Sequence, residues 1–240
     1  MKLSFIVPTR NEEKSIETLL QCLSQYSGEK EIIVADGNST DQTVTLAKKY
    51  ATKIVVQDTV IPQTIGIGRN EGARVATGEY LVFLDADCYI QHPDTFFSIA
   101  LKRFENDPST VAITGKLKVS DSLETFTDKT VFNFVNHYHQ FLNNVLHIGS
   151  ASGEFQMIKR VAFENVGGFN KVLVIGEDFD MFRRLAKVGK TRYDPELVIY
   201  HTGRRAHTIG WPKLLSLWII NAISIMILKR SIQKEWKVIR

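Results

Sequence analysis

Runs of β-branched and aromatic residues alternate with amphipathic stretches from the start of the chain, and this rhythm restricts the fold more than any other feature. Leu3 to Val7, Glu31 to Asp36, Lys53 to Gln57 and Tyr80 to Leu84 read as strands. The stretches between them predict helices from about Glu12 to Tyr26, from Asp41 to Tyr50 and near Arg69 to Thr77. Parallel strands need crossovers of this kind, so the four runs predict a parallel sheet flanked by helices, an α/β fold. Beyond them the pattern predicts a helix over Pro93 to Asn106, a strand over Val111 to Lys118, a helix over about Asp178 to Lys187 and a strand over Arg192 to Tyr200. Gly149 to Phe169 is punctuated by glycine and left undivided. Between Asp128 and His147, Val131, Phe134, Val135, Tyr138, Phe141, Leu142, Val145 and Leu146 recur at helical spacing. That face reads first as core packing and second as a wall for a lipid-bearing ligand.

A chain of 240 residues with 44% hydrophobic and 23% charged content is long enough for one globular domain with a small appendage. The boundary is placed at residue 205, with a nucleotide-binding half over 1–118, an acceptor half over 119–205 and a tail over 206–240. The net charge of +4 is spread along the chain, which suits a phosphate-bearing ligand or an anionic surface and argues against nucleic acid. Two cysteines, Cys22 and Cys88, without CxxC spacing, and an N-terminus lacking a secretory apolar stretch lead to the expectation of a reducing cytoplasm and free thiols.

In the tail, the apolar run Leu214 to Leu228 is shorter than the roughly 20 residues that span a bilayer. Lys213, Ser216, Asn221 and Ser224 fall within one sector of about 140° on a helical wheel. A helix of this kind is expected to lie on something. The cytoplasmic face of a membrane, a second subunit in a homodimer and the chain's own core are the three partners considered.

In an open α/β sheet, ligands bind beyond the carboxyl ends of the strands. The first strand here runs into Pro8-Thr9-Arg10-Asn11-Glu12, the second into Asp36-Gly37-Asn38-Ser39-Thr40-Asp41 and the fourth into Asp85-Ala86-Asp87. Asp36 at a strand end is expected to offer its carboxylate to an imide N–H, such as that of uracil or guanine. Asp85 and Asp87 are too close to ionise together unless a cation or donor intervenes, which points to Mn²⁺ or Mg²⁺ shared with a diphosphate. Glu177 and Asp178 open a helix and are candidates for a general base, whereas Asp180 reads as ordinary first-turn decoration. His201, just past a strand, is a candidate to complete the metal shell. Arg204 and Arg205 follow it and are suited to a phosphate.

The ordered series FIVPTRNEE, IIVADGNSTDQT, GIGRNEGARVATGEYLVFLDAD, SASGEFQMIKRVAFENVGGF and GEDFDMFRRLAKVGK resembles the family-two glycosyltransferases, over roughly Leu3 to His201. The resemblance implies a GT-A fold and an inverting, metal-dependent transfer of a sugar from a UDP- or GDP-sugar to an acceptor hydroxyl or phosphate. It implies base recognition by Asp36, a nucleotide pocket lined by Pro8, Thr9, Asn11 and Glu12, and Arg69 in the stretch approaching the ribose and diphosphate. Asp85 corresponds to the first acid of the Asp-x-Asp motif, near ribose or metal, Asp87 to the metal-contacting second acid, and Asp178 to the catalytic base. The Gln-x-x-Arg-Trp motif of processive synthases is missing from Val198 to Arg240, so a single transfer is expected. A polyprenyl phosphate, a lipid-linked saccharide and a small soluble acceptor all remain open.

Other classes fit less well. A sugar-1-phosphate nucleotidyltransferase needs a glycine-rich phosphate loop where this chain has VPTRNEE. In a dinucleotide-binding dehydrogenase the glycines follow the first strand, whereas Gly66, Gly68 and Gly72 are wrongly spaced and come before the fourth. A non-catalytic sugar-nucleotide-binding module would not need Asp85, Asp87 and Asp178 intact.

Overall fold

A computed structural model describes residues 1–57, 64–228 and 230–231. Its strands are β1 (Leu3–Thr9), β2 (Lys30–Asp36), β3 (Lys53–Val56), β4 (Tyr80–Leu84), β5 (Cys88–Tyr89), β6 (Thr110–Val119), β7 (Phe155–Lys159) and β8 (Lys190–His201). They form one sheet in the order β3-β2-β1-β4-β7-β6-β8-β5. The first four strands are parallel, as the sequence predicts. Alternation along β1 sends Leu3, Phe5 and Val7 into one core cluster and Ile6 into another, and β4 divides in the same way, so both faces of the sheet are covered.

The helices are α1 (Ile16–Ser24), α2 (Thr43–Ala47), α3 (Ile65–Val75), α4 (Pro93–Asn106), α5 (Phe126–Gln140), α6 (Arg160–Asn165), α7 (Glu177–Leu185), α8 (Arg204–Ile209) and α9 (Trp211–Leu228). The predicted helix over Glu12 to Tyr26 starts later because Glu12 takes part in a turn, its carbonyl accepting from the Ser15 and Ile16 amides. α3 lies close against the sheet: a Cβ on Gly72 would stand 2.5 Å from Ile6 Cγ2.

Within the undivided stretch Gly149 to Phe169, β7 inserts antiparallel between β4 and β6. This insertion has the largest consequence for the site. Register pairs Leu84 with Phe155, so the residues just before β7 stand beside the acids just after β4. β8 runs parallel to β6, and its last residue, His201, pairs with Cys88 of β5, directly after Asp87.

Two helices carry part of their apolar residues outward. The predicted segment Asp128 to His147 is α5 followed by a π-helical turn at Phe141–Val145. Phe134, Tyr138, Phe141, Val145 and Leu146 are exposed, whereas Leu142 is buried and Val131 packs against the core, so the expectation that this face packs in the core holds for only part of it. The polar residues turn inward because each finds a partner there. Asn136 pairs with both backbone groups of Leu117, and Asn143 and His139 bind Ser150. Asp128 accepts from Thr125, His207 Nε2 and Trp211 Nε1, which hold its carboxyl down at about 2 despite burial.

α9 behaves likewise: Asn221 and Ser224 are buried while Ile219, Ile220 and Ile223 are exposed. Its inner residues Trp211 and Leu214 join the main core cluster. Beyond α9, the Ser231 hydroxyl bonds to the amides of Val174 and Ile175 and to the Ile175 carbonyl. Among the described residues, no helix is long and apolar enough to cross a membrane. Both cysteines are free and buried.

Candidate active site

Asp85 and Asp87 leave the end of β4 and face a cavity of about 450 Å³ that also reaches Pro8 and Thr9 at the end of β1 and Asp178 at the start of α7. Each acid already has a cationic neighbour. Asp85 Oδ1 accepts from Arg69 Nη2 at 2.9 Å, and Asp87 Oδ2 accepts from Thr202 Oγ1 at 2.7 Å and lies 3.1 Å from Arg204 Nε. Arg204 also grips Glu12 with both terminal nitrogens, at 2.7 and 2.8 Å. One guanidinium thus bridges Glu12 to Asp87. Arg205 lines the cavity beside it.

His201 fits a place in a cation site. It is buried, its Nε2 has no hydrogen-bond partner among the described residues, and it lines the cavity next to Asp87. Burial lowers its pKa against the pull of Asp87, Asp85 and Asp128, which keeps the ring neutral. Its Nδ1 takes a 3.2 Å contact from the Gly203 amide, and an ion at Nε2 requires the ring proton on Nδ1 and so displaces that contact. Among the described residues, no group of three His, Cys, Asp or Glu side chains is arranged to hold an ion alone. Asp87 with His201 is therefore a partial donor set, of the kind that Mg²⁺ or Mn²⁺ completes with diphosphate oxygens and water.

Gly176 adopts φ 79° and turns the chain into α7, placing Glu177 and Asp178 in its first turn. Their roles divide sharply. Glu177 is buried and held by Arg69 Nη1 at 2.9 Å. Asp178 Oδ1 accepts from the Phe179 amide at 2.7 Å, and the residue lines the cavity. Burial pushes the Asp178 carboxyl up to about 6, with Arg69 opposing. A carboxylate tuned in this way accepts a proton more readily than an exposed aspartate does. Asp180 instead pairs with Arg184 one turn along, as expected of a first-turn acid.

Arg69 is fully buried and binds Asp85, Glu177 and the Gly153 carbonyl, with the Phe169 ring 5.2 Å away. Arg69 also lines the cavity, and its terminal nitrogens tie α3 to β4, α7 and the approach to β7.

Near the end of β1, Thr9 and Glu12 line the cavity with Pro8, and Arg10, unassigned from sequence, joins them. Asp36 sits one step behind, buried rather than free at the sheet edge. Its Oδ1 accepts from Thr9 and Ser39 hydroxyls at 3.0 and 2.5 Å and its Oδ2 from the Ser39 amide at 2.8 Å. Asn11, at φ 55°, bonds through Oδ1 to the Thr40 amide and so braces the loop after β2 rather than lining the cavity. Ser152, Gly153 and Glu154 line the centre and were missed, because their place depends on β7 pairing with β4.

The far wall is apolar and aromatic, built by Phe132, Val135 and Tyr138 of α5 and by Trp211, Leu214, Trp218 and Ile225 of α9.

Comparison with known proteins bears on the fold that carries this site rather than on its individual residues. The profile of Glycosyl transferase family 2 matches residues 4–167. The poly(ribitol-phosphate) beta-N-acetylglucosaminyltransferase TarS of Staphylococcus aureus is 38% identical over 96 residues, covering 38% of this chain and 17% of TarS. A PGL/p-HBAD biosynthesis glycosyltransferase of Mycobacterium tuberculosis is 33% identical over 112 residues, covering 44% of this chain and 43% of the relative. The matches thus span less than half the length of either relative. Among solved structures, the mannosyltransferase PcManGT from Pyrobaculum calidifontis, in complex with GDP-Man and Mn²⁺, superposes with a TM-score of 0.74 at 22% identity, over 93% of this chain and 64% of that one. TarS 1–349 with UDP-GlcNAc gives 0.69 at 22% identity, over 98% and 68%. At these identities the likeness is one of fold.

Proposed function

The chain belongs to glycosyl transferase family 2, has the GT-A fold, and on that premise we propose that it transfers a hexose from a UDP- or GDP-sugar to an acceptor hydroxyl with inversion, Asp178 serving as base. The observation that carries the reading is that one cavity is lined by Pro8 and Thr9, by Asp85, Asp87 and His201, and by Asp178. PcManGT and TarS have been captured with GDP-Man and UDP-GlcNAc, which supports a nucleotide-sugar donor. Asp36 suits either base: three donors occupy a carboxylate with about four acceptor sites, leaving one for an imide N–H.

Asp178 removes the acceptor proton as the acceptor oxygen forms its bond to the anomeric carbon. The bond from that carbon to the diphosphate breaks in the same displacement. Arg204 and Arg205 stabilise the charge left on the leaving group. Asp87 and His201 would hold Mn²⁺ or Mg²⁺, which as a Lewis acid supplies further stabilisation of that charge. Arg69 and Glu177 keep Asp85 and Asp178 in position.

The aromatic wall supports an acceptor with an apolar portion, as in a lipid-linked saccharide or phosphate. The exposed Ile219, Ile220 and Ile223 of α9 and Phe134 and Tyr138 of α5, together with exposed Lys213 and Arg183, suit contact with an anionic membrane face.

The test is a donor screen by nucleoside diphosphate release over UDP- and GDP-sugars, with and without Mn²⁺, using lipid extracts and small saccharides as acceptors. Release from one donor, dependent on acceptor and lost in Asp178→Asn, is expected. Pyrophosphate formation from a nucleoside triphosphate and a sugar-1-phosphate would instead indicate a nucleotidyltransferase. Donor affinity that is equal with and without Mn²⁺ or Mg²⁺, and unchanged in Asp87→Ala, would remove the ion from the scheme.

A further inference from the structure

We infer that Glu154 is the residue that selects the transferred sugar, its carboxylate accepting hydrogen bonds from ring hydroxyls of the donor. This deepens the reading of the chain as a nucleotide-sugar transferase and rests on it. Glu154 follows Gly153 and precedes β7, and the pairing of Phe155 with Leu84 sets it beside Asp85. It lines the cavity. Its carboxylate lies within electrostatic range of Asp85, Asp87 and Asp178. The backbone beneath it is fixed: the Gly153 carbonyl takes Arg69 Nη2 at 3.1 Å. A Cβ on Gly153 would meet Arg69 Nη2 at 2.6 Å, Asp85 Oδ2 at 3.2 Å and Asp178 Oδ2 at 3.5 Å. The chain at this point is therefore wedged between the acid pair and the base.

The position determines what Glu154 touches. Phosphates belong beside Asp87 and Arg204, and the acceptor oxygen belongs beside Asp178. The group that joins them is the sugar. A carboxylate repels phosphate, but it accepts from neutral hydroxyls through charge-assisted hydrogen bonds, two at a time when the hydroxyls are vicinal. Next to it stands the Ser152 hydroxyl, buried and without a hydrogen bond of good geometry among the described residues, which offers a second polar contact to the same ring. A site built to bind a hydroxyl rejects analogues that lack it, because its own groups are then left unpaired.

Calorimetry on the whole chain with Mn²⁺ tests this, comparing UDP with UDP-GlcNAc and GDP with GDP-Man for wild type, Glu154→Gln and Glu154→Ala. For whichever sugar nucleotide the wild type binds, both variants are expected to bind it about 10-fold or more weakly, the loss of one charge-assisted hydrogen bond. Affinity for the matching nucleoside diphosphate should stay within about twofold, which also reports a folded donor site. Sugar-nucleotide affinity unchanged in both variants would overturn the assignment, as would an equal loss for diphosphate and sugar nucleotide. Failure of the wild type to bind any sugar nucleotide would instead sink the transferase reading, and this inference with it.

Discussion

Asp178 and Arg69 show how a buried ionic group acquires a task from its neighbours. Burial raises Asp178 to about 6, so the fraction in the basic form, and with it kcat/KM, should climb through that pH and flatten above it. Asp178→Asn should lower transfer by about 10²–10⁴-fold and abolish that acid limb. The raised pKa also makes the ionised residue a cost to the fold. Stability associated with the neutral acid is fully present below the ordinary value of 3.8 and is lost as pH rises through about 6. Asp178→Asn should therefore melt higher than wild type at pH 8, by about 2–6 °C for a gain of about 1–2 kcal/mol, and the two should converge near pH 4. Arg69 works in the opposite sense. Arg69→Met leaves Glu177 without its buried partner and should destabilise by about 3–5 kcal/mol in denaturant titration. The double variant with Glu177→Gln should lose less than the sum of the singles.

At the scale of elements, the site depends on how closely α3 lies against the sheet. Gly72 permits that approach, since Ile6 is too near and too stiff to accommodate a Cβ without strain. Gly72→Val should cost about 1–3 kcal/mol in denaturant unfolding and, by moving α3, should loosen Arg69 and reduce turnover more than nucleotide affinity. α5 and α9 obey another rule. Helical periodicity reports an apolar stripe without saying which way all of it faces, and here Asn136, Asp128, Asn143, Asn221 and Ser224 are buried alongside Phe132, Leu142, Leu214 and Ile225. An inward polar face is stable because its groups are bonded: Asn136 to Leu117, Asn143 to Ser150, and Asn221 to Leu217.

For the molecule as a whole, α5 and α9 both line the cavity that Asp178 faces, and Ser231, beyond α9, is tied to the loop before Asp178. Ile219→Asp together with Ile223→Asp should lower co-sedimentation with anionic vesicles of phosphatidylglycerol and leave UDP or GDP affinity unchanged. Vesicle binding that the substitutions do not alter would refute membrane contact through α9. A shift from dimer to monomer in light scattering would assign the same face to a second copy of the chain.

How much of this could be read from the chain depended on how local the signal was. The four parallel strands, the helix over Pro93–Asn106 and the acids Asp85 and Asp87 were legible because alternation and strand-end polarity act within a few residues. The place of β7 was not, because FQMIK is a short strand buried on both faces and its antiparallel partners are remote in sequence. With β7 unplaced, Glu154 had no neighbours, and the three acceptors of Arg69 were not legible because they come from separate elements. The sequence by itself determined the layered sheet and the strand ends that line the cavity, since hydrophobic period and turn chemistry are local. Only the tertiary structure decided which charges are satisfied inside the protein, which carboxylates face the cavity and which way two apolar helices turn. Those outcomes rest on desolvation and pairing between groups that the chain itself keeps far apart.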